Sequence, residues 1–359
     1  MSNQILNVAW TTLLAALVLF PQNTQGQYAL DYGFAFGTGN YLGDIGGDNL
    51  ERRDFFPDLH LNQTKLSTHV FVRQRLNGAI ALRAQLGTTY IEDYDNLSSN
   101  PARMTRNAHF RNFIHEFSLR SEVNIFSRTS ITKYSSKLRV GVNTYGILGV
   151  TGFMHNPQAR LDPTSAQYHY DQGNITELVS AWNYDKWYDL RDAGTEKQDY
   201  GLASFGIPMG VGASFMVNYT TRVGIDFVWN LTFTDFLDDV SGTYADPESF
   251  AGNAEAGLTR DMQYVLSQPA NPTIAAAAGV DNPEAFLNSF RWDAAYESPR
   301  GNPDKNDSYG TLQVTVSKVV KNSSSFFKTN NYSSRRSARK RAYRRGKPDN
   351  DRIFGRPKV

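Results

Sequence analysis

The sequence predicts an all-β chain: a transmembrane antiparallel up-and-down β-barrel of about eight strands, with long extracellular loops and a disordered basic C-terminal tail. Three observations lead there. Segments of alternating apolar and polar residues recur along the chain, as they must where a strand has lipid on one side and a polar lumen on the other. No run of about 20 apolar residues exists to form a helical span. Short and long connections alternate between the segments, the habit of a barrel with tight turns at one end and loops at the other. Composition agrees, with 22 Phe, 19 Tyr and 28 Gly among 359 residues and a negative mean hydropathy. The absence of cysteine removes disulfide frameworks, Cys-zinc sites and thiol chemistry, and it suits an exported protein.

Residues 1–26 read as a signal peptide. The stretch from Val8 to Phe20 is apolar and too short for a helical span, and small residues near Gly26 offer a cleavage site. No Lys or Arg precedes that stretch, so the amino terminus alone supplies positive charge.

Residues 27–320 form the predicted barrel. Tyr28, Leu30, Tyr32, Phe34 and Phe36 would face lipid, with Asp31 and Gly33 among the residues facing in. In 66–76, Leu66, Val70 and Val72 alternate with Ser67, His69, Phe71, Arg73 and Arg75. In 80–90, Leu82 and Leu86 oppose Arg83, Gln85 and Thr89. In 113–126, Phe117, Leu119, Val123 and Ile125 oppose Glu116, Arg120, Glu122 and Asn124. The window 138–154 puts Arg139, Asn143 and Tyr145 inside, and 203–218 is Gly-rich inside. The clearest window is 223–233, where Val223, Ile225, Phe227, Trp229, Leu231 and Phe233 oppose Gly224, Asp226, Asn230 and Thr232. Last comes 308–320, with Leu312, Val314 and Val316 on one face.

The connection Leu76-Asn77-Gly78-Ala79 reads as a two-residue Asn-Gly hairpin. The link at 127–137 is moderate and 218–221 is tight, whereas 41–65, 94–111, 155–202 and 242–307 are long. An even strand number puts both mature termini with the short turns, in the periplasm. Helix-prone stretches at 247–251 and 273–278 could pack over the mouth or float free.

An eight-stranded barrel is just wide enough to be filled by its own side chains. Asp31, Glu116, Glu122 and Asp226 are therefore expected to pair with Arg73, Arg75, Arg83, Arg120 and Arg139 in a salt-bridge plug, because buried charge is tolerated only when paired. A proton or ion path is the lesser reading. Catalysis is not expected. Ser67 and His69 share a strand face, but a Ser-x-His pair is common by chance and no third orienting group is visible. His115 falls on the lipid side, and His60, His109, His155 and His169 fall in loops. Asp44, Asp235, Asp238 and Asp239 make an acidic cluster near the outer rim whose spacing matches no Ca²⁺ loop. No metal and no cofactor are expected.

The tail, 321–359, holds 13 Lys or Arg against 2 Asp, a net of +11, leaving −9 for the remainder. Arg335, Arg336, Arg339, Lys340, Arg341, Arg344 and Arg345 form its basic clusters. After an export signal and a barrel, nucleic acid is not the expected target; anionic lipid, peptidoglycan or an acidic periplasmic protein is.

Three segments carry a family resemblance. Asn40-Tyr41-Leu42-Gly43-Asp44, the run from Thr232 to Tyr244, and Arg300-Gly301-Asn302-Pro303 through Asp307-Ser308-Tyr309 resemble PorG-like outer-membrane proteins of the type IX secretion system. The resemblance spans roughly 28–320. It implies a non-enzymatic barrel that ties the secretion machinery to the outer membrane of a Bacteroidetes-type bacterium, with periplasmic ring proteins of the PorK and PorN type as partners. It brings no catalytic residues, and the shared segments would be fold or rim determinants. The alternative from the residues alone is a self-standing structural or adhesive barrel whose outer loops bind ligands.

Overall fold

A computed structural model of the chain describes residues 30–46, 61–77, 79–98, 101–129, 141–177, 179–196, 198–217, 220–277, 279 and 299–320. The expected signal peptide, Arg139, His60 and the basic tail lie outside the described residues.

Eight long strands follow from the alternating windows: β1 (Leu30–Leu42), β2 (Lys65–Arg75), β3 (Ile80–Tyr94), β4 (His109–Thr129), β5 (Gly141–Met154), β8 (Ala203–Met216), β9 (Thr221–Thr232) and β10 (Ser308–Val320). Two-residue strands β6 (Gln158–Ala159) and β7 (Tyr188–Asp189) extend one outer edge from β4. The long strands pair antiparallel in the order β3-β2-β1-β10-β9-β8-β5-β4, and a further β3–β4 pairing closes the ring. Each long strand thus has two neighbours, and the barrel has no free edge.

The period-two pattern sorts side chains as the sequence predicts. Phe34, Leu66, Leu119, Ile125, Val150 and Phe205 are exposed on the outside, whereas Arg73, Arg83, Gln85, Glu116, Arg120 and Asp226 are buried inside. A large apolar outer face around a polar filling inverts the soluble pattern and matches a lipid-facing wall. His115 lies on that outer face with Nδ1 2.8 Å from Thr88 Oγ1 on the neighbouring strand.

Two local expectations need correction. The hairpin after β2 is wider than two residues. The Leu76 amide donates to the Ile80 carbonyl at 3.0 Å, which leaves three residues between them, and Asn77 Oδ1 accepts from the amides of Ala79 and Ile80. The Asn side chain itself organises the turn. Secondly, β3 and β4 outrun their windows, at 15 and 21 residues. About 10 residues suffice for a tilted crossing, so this pair also builds a stalk on the long-loop side, and His109 is a strand residue.

The long loops fold. Among their described residues stand five helices: α1 (Pro101–Arg106), α2 (Pro163–Asp171), α3 (Leu190–Ala193), α4 (Arg260–Ser267) and α5 (Pro272–Ala277). The side chain of Asp162 caps α2 ahead of Pro163, and that of Thr259 caps α4. The helix-prone stretch at 273–278 falls largely within α5, and 247–251 supplies a single 3₁₀ turn. Buried apolar residues from these loops, among them Ile175, Trp182, Leu237, Val265 and Leu266, join Tyr41, Phe110, Phe153 and Tyr309 from the strand ends in one continuous core. The barrel therefore carries a packed cap over its long-loop mouth.

Candidate functional site: the charged lumen and the capped mouth

Inside the barrel, strand register sets the first problem. Arg73 on β2 is directly opposite Arg83 on β3, which is opposite Arg120 on β4. Like charges in register repel, so acids must reach them from elsewhere. Asp226, on the far wall, lies 2.6 Å from Arg83 Nη1 and also accepts from the Tyr145 hydroxyl at 2.5 Å. Glu122 lies 3.0 Å from Arg73 Nε and 3.6 Å from Arg83. Asp31 accepts from Arg222 at 2.9 Å and from Ser317 at 3.0 Å, and lies 3.4 Å from Arg73. Glu116 lies 3.3 Å from Arg120 and accepts from the Tyr309 hydroxyl on the opposite wall. Phe71 sits beneath the Arg83 guanidinium, 3.9 Å from ring centroid to Cζ. The lumen is laced by ion pairs and hydrogen bonds from wall to wall.

Of the residues expected in this network, Asp31, Arg73, Arg83, Glu116, Arg120, Glu122 and Asp226 are brought together. Arg75 is not: it is half-buried at the short-turn end, and among the described residues no carboxylate lies within ion-pair distance of it. Arg222 and Tyr309 were missed by sequence reasoning. Both have the inward parity of their strands, but each sits at a strand end, outside the run of alternation that identified its strand.

Ser67 and His69 do acquire a third group. Glu116 Oε1 lies 2.8 Å from His69 Nε2, while Ser67 Oγ lies 3.5 Å from Nδ1. Gln313 donates to the same Nδ1 at 3.0 Å and to Ser67 Oγ at 3.1 Å, and Ser67 Oγ lies 3.0 Å from Thr89 Oγ1. All are buried. The packing leaves no space on the far side either, since a Cβ at Gly87 would fall 2.4 Å from His69 Cδ2. The constellation bonds β2, β3, β4 and β10 together, its polar atoms turned to one another.

Above the lumen, the three segments quoted for the resemblance converge on a polar clasp. The Tyr41 hydroxyl lies 2.6 Å from Asp238 Oδ2 and 2.7 Å from Asp307 Oδ1, and accepts from the Asp44 amide at 3.0 Å. One hydroxyl proton can serve only one of two carboxylates. Burial, with the Asp44 charge close by, pushes the Asp238 carboxyl up to about 7, which supplies the second proton near neutral pH. Asp44 Oδ2 accepts from the Asn302 amide at 2.7 Å, and Asp307 Oδ2 from the Leu237 amide at 3.0 Å.

Two arginines, the half-buried Arg106 and the buried Arg300, extend the clasp to the remaining loops. Arg106 reaches both oxygens of Asp95 at 2.6 and 2.9 Å and the carbonyls of Asp44 and Arg300. Arg300 lies 3.1 Å from Glu196 and 3.4 Å from Asp239, and donates to the Asp239 carbonyl. Burial pushes Asp239 up to about 6, against the pull of Arg300 and of bonds from Thr195 and Tyr200. Every long loop thus contributes to one knot. Asp44, Asp238 and Asp239, three of the four acids of the rim cluster, are buried and occupied by these donors. Among the described residues, no group of three or more acids or histidines is arranged to hold a metal ion.

Two cap histidines are held neutral. His169 Nε2 donates to the Gln268 carbonyl at 2.9 Å while Asn174 reaches Nδ1 at 3.2 Å, and burial pushes the ring down to about 4. His155, in parallel contact with Tyr200, is likewise pushed down to about 4 by burial.

Similarity to known proteins is confined to solved structures. No protein-family model and no curated protein matches the sequence. Ail, the attachment invasion locus protein of Yersinia pestis, in complex with the heparin analogue sucrose octasulfate, is similar over 81% of this chain and 95% of its own, at 8% identity and a TM-score of 0.28. Neisserial surface protein A is similar over 82% of this chain and 98% of its own, at 9% identity and a TM-score of 0.28. The CymD monoaromatic hydrocarbon channel covers 58% of this chain and 44% of its own, at 15% identity and a TM-score of 0.22. With scores of this size, the barrel assignment rests on the closed strand pairing of the chain itself.

Proposed function

We propose that this chain is a non-enzymatic outer-membrane component of the type IX protein secretion machinery, anchoring or scaffolding the periplasmic ring at the outer membrane. The observation that carries the reading is the clasp: the three segments that resemble PorG-like proteins, far apart in sequence, meet through Tyr41, Asp238, Asp307, Asp44 and Asn302. Such a convergence is what a shared structural unit requires. The exposed apolar belt of a closed barrel supports residence in a membrane, and the laced lumen supports an anchor rather than a conduit.

In this reading β1 begins and β10 ends beside the short turns, since Leu30 pairs with both Gln74 and Val320. The basic tail then emerges in the periplasm, where proteins of the PorK and PorN type, or peptidoglycan, are its partners. Crosslinking-coupled pull-down of the intact protein from membranes tests this, with ring proteins as the expected major partners. Deleting 322–359 should leave membrane insertion intact and weaken ring co-purification; unchanged co-purification would remove the tail from the contact. A pull-down without ring proteins would sink the scaffold assignment.

One observation favours a second reading. The outer loops fold into a unit with its own core, a form suited to a structural or adhesive barrel that binds surface ligands. Cells in which the cap is replaced by short turns separate the two: loss of adhesion with secretion retained favours the second.

A further inference from the structure

On the outside of the β3–β4 stalk, the lipid-facing row ends in an unusual stack. Phe113 is exposed and lies parallel to Tyr90 across the strand pair, with ring centroids 4.6 Å apart. Aromatic pairs of this kind mark the boundary between hydrocarbon and headgroups. Two residues further along the same face of β4, about 7 Å at strand rise, comes Arg111. Its guanidinium carbon lies 4.0 Å from the Trp187 ring centroid, and that of the exposed Arg160 lies 4.4 Å from it. One indole therefore has two guanidinium groups stacked on it.

The neighbouring acids are committed elsewhere. Glu92, opposite Arg111 in register, accepts from the hydroxyls of Tyr90 and Tyr94 and pairs with Lys65 at 3.2 Å. Asp189 accepts from Gln158 Nε2 at 2.6 Å, while Gln158 Oε1 accepts from Arg111 Nε and Nη2 at 3.0 and 2.9 Å. Arg111 is thus held in place by a neutral amide. Among the described residues no carboxylate lies within ion-pair distance of Arg111 or Arg160. Gathering two like charges on one ring without a carboxylate in ion-pair contact is unfavourable by itself, and flat guanidinium groups suit phosphate oxygens.

We propose that Arg111 and Arg160, stacked on Trp187 just above the Tyr90–Phe113 boundary, form a seat for the phosphate groups of outer-leaflet lipid. The inference rests on the outer-membrane reading above. The continuity of the stack with the lipid-facing row selects a lipid headgroup over free phosphate, because a bound acyl chain would lie along Phe113 and the strand below it.

The test uses the purified full chain in detergent micelles, with binding read by native mass spectrometry. Three probes are compared: bisphosphorylated lipid A, the same lipid A with both phosphates removed, and inorganic phosphate. The wild type should prefer the bisphosphorylated lipid. The double variant Arg111→Gln with Arg160→Gln should bind it about 30-fold more weakly, each surface cation contributing about fivefold. Equal binding by the double variant, or equal binding of dephosphorylated lipid A, overturns the seat. Displacement of the lipid by equimolar inorganic phosphate overturns the lipid assignment. Should the double variant fail to give the compact, heat-modifiable band of a folded barrel, Arg160→Gln alone, at an exposed position, carries the test with about a fivefold loss. Membrane fractionation distinguishes the two failures: a chain outside the outer membrane sinks the functional reading, and unaltered lipid binding sinks this one.

Discussion

Arg83 and Leu237 are both fully buried, at 1% and 0% exposure, yet their burial has opposite origins. Arg83 points into a lumen whose walls are covered by polar side chains, because the apolar half of each strand is turned to lipid. Leu237 lies in the cap, where loops surrounded by water bury apolar surface in the ordinary way. A charge in the lumen is stable only through its partners, whereas a cap side chain is stable through the area it removes from water. One chain thus runs two folding chemistries, joined where Tyr41, Phe153 and Tyr309 belong to both.

Breaking one ion pair should have the largest effect. Asp226→Leu leaves the Tyr145 hydroxyl without its acceptor and Arg83 with only the 3.6 Å approach of Glu122, and should cost about 3–5 kcal/mol, seen as a lower denaturant midpoint for the barrel band. Combining it with Arg83→Met should restore most of the loss, because an apolar pair needs no partner. Failure of that rescue would mean that the lumen charges act as a network rather than in pairs.

The matching cap substitution, Leu237→Ala, should cost about 2–5 kcal/mol but in a different place. Limited proteolysis should then cut within 155–202 and 233–307 while the barrel band keeps its heat resistance. Co-unfolding of the two would show that the clasp couples them.

A smaller effect separates the protonation states in the cap. Asp238 and Asp239 have folded values raised above the ordinary 3.8, to about 7 and 6, so their contribution is full below pH 3.8 and is lost as pH rises through those values. His155 and His169 have values lowered from 6.5 to about 4, so theirs is full above pH 6.5 and is lost as pH falls through 4. The two sets oppose each other between pH 4 and 6.5, and protease resistance of the wild-type cap should vary little there. Asp238→Asn should unbalance them, so that cap stability rises over that range by roughly 2 kcal/mol. A flat profile in the variant would place the shared proton elsewhere.

The smallest expected effect is at the hairpin. Asn77→Ala removes two acceptor contacts at an exposed turn and should cost about 1 kcal/mol or less, measured as a slightly lower barrel midpoint.

The strands were legible because lipid and lumen impose a period of two on every crossing residue; the run from Val223 to Phe233 could be sorted by eye. Arg222 was lost because alternation fades where the strand leaves the bilayer, and Arg75 looked paired because parity gives a face but no height along the axis. The cap was illegible for a different reason. Leu237, Trp182 and Leu266 meet through loop geometry that has no period, and the clasp needs Tyr41, Asp238 and Asp307, whose contact no local pattern announces. The motif residues could be recognised as a set before their bonds were known, but only from the resemblance and not from spacing.

The seam between β1 and β10 has a temporal consequence. Residues at opposite ends of the barrel segment, such as Leu30 and Val320, are paired partners, so the ring cannot shut until its last strand has arrived. Hairpins such as β2–β3 can form early from neighbouring residues, but the closing contact has the greatest sequence separation in the barrel, and such contacts form slowly. Until then the chain presents two open strand edges and an apolar face, and only closure removes both.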